Sequence, residues 1–122
     1  KLQASSIMAQ EAKPNVQEVR AAHLLVKHQE SRRLASWKDP DGKEIKKRSV
    51  ADADKILMGY LQEINKAQDP AAKFHELASK HSDCSSANAN PGGDLGNFRF
   101  EEMQQPFSEA AFKLNVGQIT QE

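Results

Sequence analysis

From Val19 to His28 the chain alternates in character, with Ala22, Leu24 and Val26 on one face and His23, Leu25 and Lys27 on the other, the two-residue period of a strand. The spacing then changes to three and four: Ala53, Ile56, Leu57, Tyr60, Leu61 and Ile64 form the apolar stripe of an amphipathic helix. Ser49 precedes that stripe as an N-cap and Asp52 stands three residues on, a capping box that predicts a helix running toward Ala67. Asp69-Pro70 opens a second helix, because proline suits the first turn, and Phe74, Leu77 and Ala78 share its inner face. A short irregular helical turn is expected over His81 to Asn88, a loop at Asn90-Pro91-Gly92-Gly93 and a short strand from Leu95 to Phe98. Met103 to Leu114 reads as a last helix with Met103, Phe107, Ala110, Ala111 and Leu114 inward, and Gly117 ends the connection after it. Between strand and helix, Gln29 to Arg48 is a charged loop with a turn at Asp39 to Gly42. Ahead of Val19 there is no long apolar run, so residues 1–18 are expected to be a flexible tail, and Lys1 to Ile7 are set outside the fold. Two strands are counted, and Ile119 to Glu122 at most begins a third.

A chain of 122 residues, 38% hydrophobic and 28% charged, is long enough for one modest core and too short for two. No stretch approaches the length of a membrane span. Formal net charge is zero, which argues against a nucleic-acid or membrane partner, but Lys27 to Arg48 holds eight basic residues against four acidic ones, a local charge of +4. That segment has no aromatic stacking platform of the kind that single-stranded nucleic acids require. One cysteine, Cys84, excludes an intrachain disulfide and fits a reducing compartment. His81 and Cys84 have the spacing of half a metal site, and without a second pair no metal is expected.

On their own terms the chemical residues have ordinary alternatives. Met103 and Phe107, four apart, would share a helix face as core. Lone Cys84 reads as a small buried apolar residue, and His23 as a histidine satisfied by backbone hydrogen bonds. The Arg32-Arg33 pair is either a solvated stretch of loop or, with Lys27 as a further point charge, a site for a phosphate dianion.

Two stretches taken together change that balance: RAAHLLVKHQESRR from Arg20 to Arg33, and HSDCSSANANPGGDLGNFRFEEMQQPF from His81 to Phe107. In order and spacing, over roughly Val19 to Gln118, the chain resembles the parvulin family of peptidyl-prolyl cis-trans isomerases, in the branch that prefers phosphoserine- or phosphothreonine-proline. The resemblance implies an α+β fold, a parvulin-like (FKBP-like) antiparallel sheet surrounded by helices, occupying residues 19–122. The family's last two strands form a C-terminal hairpin that is absent from this chain, so the domain is expected to be C-terminally truncated, without the second of the family's paired histidines and with one edge of the Val19–His28 strand open. The resemblance also implies His23, Cys84 and Ser85 as catalytic residues, Leu95, Met103, Gln104 and Phe107 as the substrate proline pocket, and Lys27, Arg32 and Arg33 as the phosphate site. It implies no cofactor and no metal. Partners would be phosphorylated Ser/Thr-Pro proteins, met in the cytoplasm or nucleus by a monomer when the domain is complete. The alternative is a phosphopeptide-binding or chaperone-like module with weak or no turnover. Relatives often add a WW module, which uses two tryptophans; this chain has only Trp37, inside the domain, so no such module is expected.

Overall fold

The structure is a computed structural model that describes residues 4–13, 18–114 and 116–120. A three-stranded antiparallel sheet lies between two helical layers in an α+β arrangement. Its strands are β1 (Ala4–Lys13), β2 (Glu18–Val26) and β3 (Asp94–Arg99), ordered β1-β2-β3. The expected alternation of β2 holds. Ala22, Leu24 and Val26 join Ala4 and Met8 of β1 against α1 (Val50–Lys66) and α2 (Pro70–His81), which contribute Leu57, Leu61, Ile64, Phe74 and Leu77. On the opposite face Ile7, Val19, Ala21 and Phe98 pack against Ala111 of α3 (Gln105–Phe112).

Helix boundaries follow their caps. Ser49 Oγ accepts the Asp52 amide while the Asp52 carboxylate accepts the Ser49 amide, so both halves of the capping box form. Asp69 caps α2 by accepting the Ala72 amide, with Pro70 in the first turn. The expected irregular turn is a 3-10 helix at Ser85–Asn88. At the predicted turn in the charged loop the Gly42 amide donates to the Asp39 carbonyl, and Gly42 sits at φ 71, where an added Cβ would lie 1.9 Å from the Leu34 carbonyl oxygen.

Two expectations are corrected here. Ala4–Lys13, read as part of a flexible tail, is strand β1, paired with β2 from Ala4↔Val26 to Lys13↔Glu18. Its small residues hide the pattern, because Ala4 and Met8 are buried on one face and Ile7 and Ala9 on the other, so the strand shows neither a polar face nor a long apolar run. The edge of β2 expected to be open is therefore covered. On the far side of β1, the Ala9 amide donates to Gln118 O, the Thr120 amide donates to Ile7 O, and Ile119 bridges Met8, so the predicted beginning of a third strand pairs with β1. The rest of the predicted tail, residues 1–3 and 14–17, lies outside the described residues, as do 121–122. The second correction is α3, which starts at Gln105. Met103 precedes it in extended backbone after a 3-10 turn, so the i, i+4 helix argument for Met103 and Phe107 does not apply, although both join the same apolar cluster.

Candidate active site

The sheet face under α3 carries a groove of about 950 Å³. Leu25 of β2, Lys27 just after it, and Ser5 and Ile7 of β1 line its sheet side. From α3 and its N-cap come Gln104, Pro106, Phe107 and Ala110, Leu114 follows the helix, and the charged loop contributes Glu30 to Arg33. Of the residues singled out in the sequence, the groove thus unites Lys27, Arg32, Arg33, Gln104 and Phe107. Half-buried Leu95 and Met103 lie with Phe107 in the apolar cluster that also holds Phe98 and Ile7.

His23 packs edge-on to Phe107, with ring centroids 5.0 Å apart. It is 7% exposed, its Nε2 has no hydrogen-bond partner among the described residues, and burial lowers its pKa to about 4. The imidazole is therefore uncharged at neutral pH. Cys84 is half-buried and caps the 3-10 turn that Ser85 opens, while Ser85 is exposed. Neither lines the groove, and no hydrogen bond among the described residues joins Cys84 to His23. The turn is nonetheless fastened to β2: Ser82 Oγ accepts the amides of Leu25 and Cys84, and the Asp83 amide donates to Leu25 O.

Asp83, which the sequence reading passed over, organises the basic loop. Its carboxylate accepts hydrogen bonds from Ser36 Oγ at 2.9 Å and the Lys27 amide at 2.9 Å. It also pairs with Arg48 at 3.4 Å and Lys38 at 3.6 Å, with its own side chain only 2% exposed. The Lys27 ammonium donates to Ala35 O at 2.6 Å, and Trp37 Nε1 donates to Ser82 O. Asp39 accepts the amides of Lys43, Glu44 and Ile45 and so shapes the far end of the loop. Arg32 and Arg33 differ from these tethered cations: they are exposed on the groove and make no ion pair among the described residues. His28 and His75 are engaged as well. His28 is fully buried with Nδ1 accepting the Glu30 amide, and His75 Nδ1 lies 2.7 Å from Gly92 O.

Chemically, the groove combines the cationic side chains of Lys27, Arg32 and Arg33 with an apolar lining that includes Ile7, Leu25 and Phe107. Among the described residues no group of three or more His, Cys, Asp or Glu side chains could hold a metal ion, and no helix is long and apolar enough to cross a membrane.

Comparison with known proteins supplies the remaining observation. The family model described as "Rotamase: PPIC-type PPIASE domain" matches residues 23–122. The chain is 52% identical over 104 residues to "Peptidyl-prolyl cis-trans isomerase Pin1" of Digitalis lanata, covering 85% of this chain and 84% of the relative. It is 48% identical over 103 residues to the protein of the same name from Malus domestica, covering 84% and 81%. A relative from Theileria annulata, "Buparvaquone-resistant peptidyl-prolyl cis-trans isomerase NIMA-interacting 1", is 41% identical over 102 residues, covering 84% and 68%. No solved structure matches.

Proposed function

The chain belongs to the PPIC-type, or parvulin, family of peptidyl-prolyl cis-trans isomerases, and from that premise we propose that it acts on Ser/Thr-Pro bonds whose hydroxyl residue is phosphorylated. An X-Pro bond left to itself isomerises in tens to hundreds of seconds, because partial double-bond character sets a barrier of roughly 18–20 kcal/mol. No covalent bond has to break. The protein has to bind the twisted amide better than either planar form, and each ~1.4 kcal/mol of that difference is tenfold in rate.

In this reading Phe107, Met103 and Leu95 grip the proline ring, and Lys27, Arg32 and Arg33 hold the phosphate, fixing the residue before the bond while the ring side turns. Gln104, which lines the same groove, hydrogen-bonds the substrate backbone in this reading. Neutral His23 and the turn bearing Cys84 and Ser85 tune the polarity around the rotating amide, without nucleophilic attack. Clients are phosphorylated Ser/Thr-Pro proteins of the cytoplasm or nucleus. The observation that carries the reading is one juxtaposition: the Arg32-Arg33 pair, unlike the loop cations held by Asp83, shares a groove with Phe107. Arginine pairs of this kind match a phosphate dianion by charge-assisted, often bidentate bonds.

A second reading, a binding module with little turnover, draws on the position of Cys84 and Ser85 outside the groove lining. Both are tested by replacing Arg32 and Arg33 together with alanine. Charged hydrogen bonds are each worth about 1.5–3 kcal/mol, so exchange spectroscopy on a phosphoSer-Pro peptide should show kcat/KM falling roughly tenfold or more, while the unphosphorylated twin changes little. A double variant that keeps its full rate on the phosphopeptide contradicts the phosphate assignment. Binding of the phosphopeptide by the unmutated protein without exchange enhancement would instead select the second reading.

A further inference from the structure

We propose that β1 is a working part of the substrate groove and that Ser5 is a substrate-contact residue beside its phosphate end, an inference that rests on the phosphopeptide reading above. β1 lies upstream of residues 23–122, the stretch that matches the family model, so nothing in that match assigns it a role. Three observations do. Ser5 and Ile7 both line the groove. The antiparallel register sets Ser5 opposite Leu25 and Ile7 opposite His23. Ile7, 5% exposed, is locked into the cluster containing Phe98, Phe107 and Ala111.

Side chains alternate along a strand, so anchoring Ile7 in that cluster directs Ser5 to the same face, and a slip of one residue would present Ala4 and Ser6 instead. The opposite face is fixed independently. Met8 is buried against Ala22 and Leu24, and Ser6 Oγ donates to Thr120 O at 2.8 Å, which leaves the strand no freedom to slip. Leu25 stands two residues before Lys27, which directly follows β2, so Ser5 is offset from Lys27 by roughly 7 Å along the strand direction and about 5 Å across it. The Ser5 hydroxyl is half-buried and has no hydrogen-bond partner among the described residues, whereas that of Ser6 is committed. A neutral donor at this position contacts the phosphate, or the backbone of the phosphorylated residue, next to the arginine pair. Ser5 thus shares in selecting the phosphorylated substrate.

Charge reversal at this one position separates contact from mere structural support. Ser5→Asp and Ser5→Lys are compared with the unmutated chain by exchange spectroscopy on phosphoSer-Pro and Ser-Pro peptides, with urea unfolding to compare the stability of the three proteins. The readout is the ratio of kcat/KM for the phosphorylated peptide to that for its twin. Unit charges on the order of 12 Å apart at an effective dielectric constant of ~20 interact strongly enough to move that ratio roughly tenfold. Ser5→Asp is expected to lower it by about that factor, chiefly through KM, and Ser5→Lys to hold or raise it. An equal fall for both variants, or a ratio that neither moves, overturns the role of Ser5. Failure of the underlying reading looks different: the unmutated protein itself then turns over both peptides equally.

Discussion

Burial against Phe107 keeps the His23 imidazole neutral, and this has a consequence for stability against pH. An unfolded histidine titrates near 6.5 and folded His23 at about 4. Between those values the unfolded chain binds a proton that the folded chain refuses. The contribution is therefore fully present above about pH 6.5 and is lost as pH falls toward 4, at up to ~1.4 kcal/mol per pH unit, or about 3 kcal/mol in all. Urea unfolding at about pH 7 and about pH 4.5 checks it: the loss in the unmutated protein should exceed that in His23→Asn by about 2 kcal/mol, and equal losses would mean that His23 titrates normally. Asp83 gives a second residue-scale test. Removing a carboxylate that holds Ser36, Lys38, Arg48 and the Lys27 amide should cost about 1.5–3 kcal/mol and free the basic loop. Asp83→Ala is thus expected to lower the urea midpoint and speed proteolysis between Gln29 and Arg48. Five of the groove's lining residues, Lys27, Arg32, Arg33, Gln104 and Phe107, could be named from sequence because they sit within two short motifs. Asp83 could not, since its partners come from separated stretches of chain and no local pattern connects them. The burial of His28 is hidden for a related reason: a polar residue just past a strand gives no local sign of burial until the loop that covers it is in place.

Elements with strong local signals were the legible ones. The boundaries of α1 and α2 were written in Ser49, Asp52, Asp69 and Pro70, and Ser49→Ala should destabilise the protein by about 1 kcal/mol in thermal or urea unfolding through loss of the cap. α3 started later than its apolar spacing suggested because Met103 and Gln104 are extended and Pro106 belongs to the first turn. β1 escaped notice altogether, since alanine and serine on both faces give no hydrophobic contrast, and its evidence lies in pairing with β2 and Gln118–Thr120. Hydrogen exchange distinguishes a strand from a tail. The Ala9 amide, bonded to Gln118 O, should exchange far more slowly than a freely solvated amide. Exchange of Ala9 at the free-peptide rate would return residues 4–13 to the tail.

For the whole molecule, the sheet divides labour between its faces: α1 and α2 bury one of them, and α3 with the basic loop builds a groove on the other. The α+β class and the isomerase family were both readable from sequence, because motif order survives without knowledge of the sheet's edges. What remained hidden was which strand flanks β2, a matter of long-range pairing that no local window contains. The central claim is that phosphate recognition and proline handling share this one groove. Its most direct test is the cis-trans exchange rate of matched phosphoSer-Pro and Ser-Pro peptides in the presence of the unmutated 122-residue chain. Catalysed exchange with a preference for the phosphorylated peptide of at least about tenfold is expected, the order given by one charged hydrogen bond. Equal acceleration of the two peptides would contradict it.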